Sequence, residues 1–295
     1  MSELSGMTGF ARVTGEADWG AWAWEAKSVN GRGLDVRVNT PPGFDALERV
    51  VKAAASKRFN RGSLQVSLRI ELGEQSGKAA IDQTLLDTLL AAAEKAHGVG
   101  ISSEAIATLM TIKGVVETGS ANIRDIAANA DVMAELEAAA GTVLMELETA
   151  RRAEGKAVET MLSDLLEELA ASTRLAIDLA SDQPALLKAR LTRQLAELGA
   201  DQQVDKERLA AELALTAAKA DVREELDRLL AHFDSARKLL AAGSPVGRKL
   251  DFLAQELNRE ANTLCSKSIS LDLTNAGLSL KGTIDQFKEQ AANVE

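Results

Sequence analysis

Near the start of the chain, apolar side chains recur at every second position in three short stretches. Trp22, Trp24 and Ala26 alternate with other residues. Leu34, Val36 and Val38 alternate with Asp35, Arg37 and Asn39, and Leu64, Val66, Leu68 and Ile70 with Gln65, Ser67, Arg69 and Glu71. Period-two alternation predicts half-buried strands, with one face on a core and one in water. Between the second and third stretches, Leu47, Val50, Val51 and Ala54 recur at helical spacing, and Asn60-Arg61-Gly62 supplies a stop before the last strand. Asn30-Gly31 favours a turn between two strands. A small antiparallel sheet crossed by one helix follows for residues 1–78.

The period then changes. Residues 79–215 read as almost wholly helical, and from Asp131 to Leu179 the apolar positions Leu136, Val143, Leu147, Val158, Met161, Leu165 and Leu169 sustain one repeat. Gly141 and Gly155 interrupt it, each at a cost of about 1 kcal/mol relative to Ala. One unbroken helix of that length reaches roughly 70 Å, too long for a compact domain and suited to an arm or an assembly strut. Pro184 ends or bends the run, and a further helix extends towards Leu215. The fold class is therefore α+β: an N-terminal α+β domain (1–78), an extended helical oligomerisation region (79–215) and a mostly helical C-terminal domain (216–295).

The C-terminal segment carries the densest chemistry. At ~100° per residue, Val222, Leu226, Leu229, Leu230 and Phe233 gather on one side of a helix, with Asp221, Glu225, Arg228 and His232 opposite. Spacing alone fits ion pairing on a wet face and a functional face equally well. After the break Gly243-Ser-Pro-Val-Gly247, a second helix lines up Leu250, Leu253, Leu257, Ala261 and Leu264. Arg248, Gln255 and Arg259 lie opposite that stripe. Asp251, Asn258 and Asn262 occupy one flank, and Lys249, Glu256 and Glu260 the other. Asn is a poor helix former, so this mix of Asn, Gln, Arg and Glu is unusual for a plain solvent face and points to a functional face more than to a buried structural network.

Composition narrows the field. Hydrophobic residues make up 46% of 295, enough for a sizeable core. The absence of Tyr weighs against a reader of unpaired bases built on stacking platforms. A single cysteine, Cys265, excludes an intramolecular disulfide and reads as a small packed hydrophobe. No secretory signal and no long apolar run is visible, which predicts a soluble cytoplasmic protein without membrane contact. The net charge of −10 is uneven. Residues 1–78 carry 11 Lys+Arg against 9 Asp+Glu, residues 79–215 carry 12 against 23, and residues 216–295 carry 11 against 12. The acidity lies in the middle, and either end can still present a basic face.

The segments ADVREELDRLLAHF (220–233) and GRKLDFLAQELNREANTLCSKS (247–268) closely resemble the C-terminal signature of the YicC family. MTGFAR (7–12), WEAKSVNGRGLDVRVNTP (24–41) and the Arg61-Gly62 strand start resemble its N-terminal domain, RRAEG (151–155) its central helix, and KGTIDQFKEQAANVE its ending. Residues 79–150 match mainly in being helical. The resemblance implies a metal-dependent endoribonuclease that assembles as a ring-shaped homo-oligomer, a hexamer, closing around RNA.

The resemblance leaves the metal-binding carboxylates unassigned, and the residues themselves supply candidates. Metal-assisted phosphodiester cleavage by Mn²⁺ or Mg²⁺ needs hard oxygen ligands. Glu224, Glu225, Glu256 and Glu260 are metal candidates; Glu225, His232, Asp251 and Glu256 are catalytic candidates, His232 as a ligand or as a general acid/base. The other histidine, His97, reads as a surface residue. Phosphate contacts are expected from Arg223, Arg228, Arg248, Lys249, Arg259 and Lys267, extended by Lys27, Arg32, Arg37 and Arg61. Two other readings stay open: a non-catalytic RNA-binding adaptor for other ribonucleases, and a helical scaffold or stress-response interaction protein.

Overall fold

Three stretches in the first 72 residues alternate apolar and polar side chains, and the chain answers with a sheet. The computed structural model describes residues 3–73, 79–97, 102–118, 123–197 and 206–295. Strands β1 (Gly9–Ala17), β2 (Gly20–Val29), β3 (Leu34–Asn39) and β4 (Gly62–Leu72) form one sheet in the order β1-β2-β4-β3, and helix α1 (Asp45–Arg58) links β3 to β4. The predicted alternation holds: Trp24, Ala26, Leu64 and Val66 are buried, while Lys27, Gln65, Arg37 and Arg69 stand on the opposite, wet face. The sheet is nevertheless mixed. β1-β2 and β2-β4 are antiparallel, whereas β3 runs parallel to β4, with Val36 opposite Leu64. Asn30-Gly31 therefore does not close a hairpin. It lies in a loop that carries the chain across the end of β4, where the Gly62 N–H donates to the Gly33 carbonyl at 3.0 Å.

The middle segment is not purely helical. The short strand β5 (Ala79–Ile81), ahead of α2 (Gln83–His97), pairs antiparallel with β6 (Val116–Thr118), which lies between α3 (Ser103–Met110) and α4 (Ile123–Ala127). The side chain of His97 lies outside the described residues. Asn129 then caps a 52-residue helix, α5 (Ala130–Ser181), by accepting from the N–H groups of Asp131 and Val132. The two glycines do not break it. A Cβ at Gly141 would meet nothing within 4 Å, whereas one at Gly155 would lie 2.1 Å from the Leu4 carbonyl oxygen, because the N-terminal segment crosses the helix there. Gly155 thus permits a crossing at the cost of some helix propensity.

Two apolar cores share α5. Its first half, Val132 to Leu147, buries its stripe against the sheet and α1. Its second half, Val158 to Ala176, packs with Leu4 and with α8 (Arg223–Ala242), α9 (Gly247–Lys267) and α10 (Leu271–Ala291). Beyond Ser181 the chain turns into α6 (Gln183–Glu197), with Pro184 in its first turn where a missing N–H costs nothing, and then α7 (Lys206–Lys219). Two helices therefore stand where one was expected, and the residues between them lie outside those described.

The units meet at Arg151, whose guanidinium is fully buried. It donates to the Gly6 carbonyl (2.7 Å), the Ser28 hydroxyl (3.4 Å), the Arg61 carbonyl (3.1 Å) and the Glu295 carboxylate (3.0 Å), and lies 4.9 Å over the Phe59 ring. Burial pushes this guanidinium below its ordinary pKa, and Glu295 and Glu154 oppose the shift. Glu295 in turn accepts from the Asn60 and Arg61 N–H groups through its side chain. Through its main-chain oxygen it accepts from the N–H groups of Val246 (2.9 Å) and Gly247 (3.1 Å), at the start of α9.

Candidate active site

Helix α8 and helix α9 carry their leucines on one side each, and burying those stripes together fixes how the polar sides meet. Leu226, Leu229 and Phe233 of α8 and Leu250, Leu253, Leu257 and Leu264 of α9 share one core. The consequence is a juxtaposition across the two helices. His232 on α8 and Glu256 and Glu260 on α9 each bring a ligand atom within 4.8 Å of the others. Glu256 and Glu260 are one turn apart, so both carboxylates project on one side of α9. Glu260 is buried, and His232 and Glu256 are half-buried. Arg228, one turn before His232, donates to Glu260 at 3.4 Å and also to Glu224. Glu224, then Glu260, push its guanidinium above the ordinary value.

The donor set suits a cation. An imidazole nitrogen and two carboxylates match a divalent ion with mixed nitrogen and oxygen preference. Ligand bonds of ~2.0–2.2 Å set opposed donors about 4–4.4 Å and adjacent donors about 3–3.5 Å apart, so the three side chains would draw in around an ion. Arg228 holds one carboxylate from outside, as hydrogen-bonded outer partners of metal ligands do.

The other candidates lie elsewhere. Glu225 is buried and accepts from the Lys267 ammonium at 2.8 Å, and Lys267 also donates to the Asp221 carbonyl. Its second oxygen, Oε2, is buried without a hydrogen-bond partner. Asp221 binds the Arg223 guanidinium through both carboxylate oxygens, which pulls its pKa down to about 2. Glu224 is exposed and committed to Arg228, and Asp251 accepts from Gln255 at 3.2 Å. His232 thus joins Glu256 and Glu260, while Glu224, Glu225 and Asp251 do not.

The basic residues divide in the same way. Arg37, Arg223, Arg228 and Lys267 are paired with carboxylates. Arg61 is partly buried and donates to the Val294 carbonyl. Lys27, Arg32, Arg248, Lys249 and Arg259 are exposed. Arg248 reaches the Arg32 carbonyl at 3.4 Å, so the loop after β2 meets the first turn of α9. Arg259 approaches Glu256 at 3.9 Å. Lys27 and Arg37 fall in one row across the sheet, with Phe10 and Gln65, on its wet face. An apolar-walled cavity of about 730 Å³ between Ile177, Pro184, Leu187, Ala218 and Leu226 includes none of the three clustered side chains. Burial raises the pKa of the Cys265 thiol, with Lys281 opposing, in keeping with a packing role.

Sequence reasoning gave no role to Arg151, Glu295 or Phe252. Arg151 had a readable signal, a charge in the stripe between Leu147 and Val158. Phe252, 63% exposed on α9, had one too: an aromatic off the leucine stripe.

Comparison with known proteins covers the chain almost from end to end. The model of the endoribonuclease YicC-like N-terminal region matches residues 4–160, and that of the endoribonuclease YicC-like C-terminal part matches residues 176–295. A protein of Haemophilus influenzae named "Probable endoribonuclease YicC" is 34% identical over 98% of this chain and 99% of its own length. One of the same name from Clostridioides difficile is 26% identical over the same shares.

Proposed function

The chain belongs to the endoribonuclease YicC-like family, and from that membership together with the His232/Glu256/Glu260 cluster we propose that it cuts RNA internally at phosphodiester bonds, using a divalent cation, Mn²⁺ or Mg²⁺, held by those three side chains. The observation that carries this reading is the convergence of one imidazole and two carboxylates from two helices within 4.8 Å. A divalent cation there supplies Lewis-acid polarisation of the phosphodiester and offsets the negative charge that grows in the transition state. The chain's own residues do the rest. Glu260, buried and fixed by Arg228, is the rigid member of the cluster. Glu256, half-buried, is a more accessible member than Glu260 and lies 3.9 Å from the exposed guanidinium of Arg259. Arg248, Lys249 and Arg32 gather phosphates at the other end of the same helix. These contacts carry charge and no sequence information, so they position the strand and leave the choice of bond to the cluster.

We assign self-association, as a ring of six copies, to the helical middle, residues 79–215. Exposed Met145, Met161 and Leu175 along α5 support this, and light scattering at micromolar concentration tests it. Among the described residues no helix is long and apolar enough to cross a membrane, which agrees with action on cytoplasmic RNA.

The deciding experiment is incubation of the purified protein with a labelled RNA hairpin, with Mn²⁺, Mg²⁺ or EDTA. Cleavage is expected only with a cation. Glu256→Gln keeps the shape of the side chain and removes its charge. Retained folding and RNA binding, with at least ~10²-fold slower cleavage, is the expected outcome, and excess cation should restore part of the rate. Full activity in EDTA, or a wild-type rate for the variant, refutes the assignment. RNA binding without cleavage under any cation returns the protein to the adaptor reading.

A further inference from the structure

Helix α9 keeps one large aromatic side chain in water. Phe252 is 63% exposed, although Leu250, Leu253 and Leu257 around it are buried. At ~100° per residue, Arg248, Phe252, Gln255 and Arg259 fall within about 60° of one another, so they form a single outward stripe. All four are exposed. Glu256 of the His232/Glu256/Glu260 cluster lies one turn after Phe252, which sets their Cβ atoms roughly 5–6 Å apart. The stripe is therefore an aromatic face with cations to either side and the candidate cation ligands beside it.

Two occupants would cover such a ring: an apolar patch of another protein subunit, or a base. The neighbours decide between them. Phe252 sits among Arg248, Lys249, Gln255 and Arg259 rather than among other apolar side chains. A dry subunit contact is depleted in charge at its centre. A nucleotide, in contrast, presents a π-face for the ring and a phosphate for each flanking guanidinium. The lack of tyrosine argues against a broad stacking surface, and a single ring beside the cluster needs none.

We propose that Phe252 is the stacking platform for one unpaired RNA base next to the scissile phosphate, with Arg248 and Arg259 holding the phosphates on either side. This rests on the RNA-cleaving reading above and deepens it. It makes single-stranded loops, not continuous duplex, the preferred substrate, because a paired and stacked base has no free face to offer.

The test uses the full-length protein and an RNA with 2-aminopurine in a single-stranded loop. Binding is followed by fluorescence in EDTA, so that no cleavage is required. Wild-type protein should change the 2-aminopurine emission on binding. Phe252→Ala should abolish that change and weaken loop binding by roughly 5- to 100-fold, the range of one lost base–aromatic stack. Phe252→Trp should restore both. Arg248→Ala should instead flatten the salt dependence for all RNAs. In Mn²⁺, kcat/KM for loop substrates should fall with Phe252→Ala in proportion to binding, with fully paired RNA unaffected. Unchanged binding and emission in Phe252→Ala overturns the proposal. So does a drop in assembly mass by light scattering with wild-type RNA binding per subunit, which would make this face a subunit contact. If wild-type protein cleaves nothing, the reading of Proposed function fails, while the EDTA measurement still decides whether Phe252 stacks on a base.

Discussion

Replacing Arg151 by Met tests whether the buried junction holds the two halves together. Met keeps most of the apolar stem over Phe59 and removes every donor. Four acceptors then lose a partner inside the protein: the Gly6 carbonyl, the Ser28 hydroxyl, the Arg61 carbonyl and one oxygen of Glu295. The first retains the Ser5 hydroxyl at 3.2 Å, and Glu295 retains two backbone donors on its other oxygen. What remains is a carboxylate, 4% exposed, without its counter-charge. Breaking a buried ion pair from one side costs about 3–5 kcal/mol, most of it from the charge left behind. Arg151→Met should therefore lower stability by that amount, and Glu295→Leu by about 2–4 kcal/mol, because Arg151 keeps three neutral acceptors. The double variant should cost clearly less than the sum, since no charge is stranded in it. Urea unfolding read by fluorescence reports the cycle, because Trp22 and Trp24 are buried in the adjoining sheet core. A loss below about 1 kcal/mol for Arg151→Met, or additive single changes, would refute the reasoning.

The two glycines of α5 should respond in opposite directions. Gly155→Ala must displace the backbone of Leu4 and Ser5, 2.1 and 2.8 Å from the new carbon, and should cost ~1–3 kcal/mol despite the gain in helix propensity. Gly141→Ala enters open space and should raise stability by up to ~1 kcal/mol; thermal midpoints moving the same way would contradict this. Asp221, held at about pKa 2 by Arg223, contributes stability that is fully present above the unfolded carboxyl value and is lost as pH falls through the folded one. With the carboxylate side chain 38% exposed, solvent screening keeps the difference from Asp221→Asn below ~1 kcal/mol. That difference should be constant above about pH 5 and vanish between pH 4 and 2, as measured by unfolding midpoints across the series.

How much of this was legible depends on whether the physics was local. The alternating strands were readable because each buries one face: Trp22, Trp24 and Ala26 in β2, Leu64 to Leu68 in β4. β1 escaped notice because its core side offers only Ala11, Val13 and Gly15, too little bulk to register as a period. The strands of three residues, β5 and β6, are too short for any period. Alternation also carries no direction, so β3 read as a hairpin partner through Asn30-Gly31, although α1 returns the chain parallel to it. At the site, the leucine stripes of α8 and α9 dictate that their polar sides share a border, and His232, Glu256 and Glu260 meet there. An ideal projection puts Glu225 on that same side, yet Lys267 from the last turn of α9 covers it. A helical wheel treats each helix alone, and its flanks are decided by where the neighbour ends. The same limit hid Glu295. Nothing in its own neighbourhood marks it, because each of its hydrogen-bond partners lies at least 48 residues away: Ser5, Asn60, Arg61, Arg151, Ser244, Val246 and Gly247. Its backbone oxygen nonetheless occupies the N-terminus of α9, where two unsatisfied N–H groups and the positive end of the helix dipole meet a partial negative charge. The helix that bears Glu256 and Glu260 is thereby fixed at its first turn to the same residue that neutralises Arg151. The start of the helix that carries the candidate cation ligands and the seating of the N-terminal sheet thus meet at one residue, the first through its main-chain oxygen and the second through its side chain.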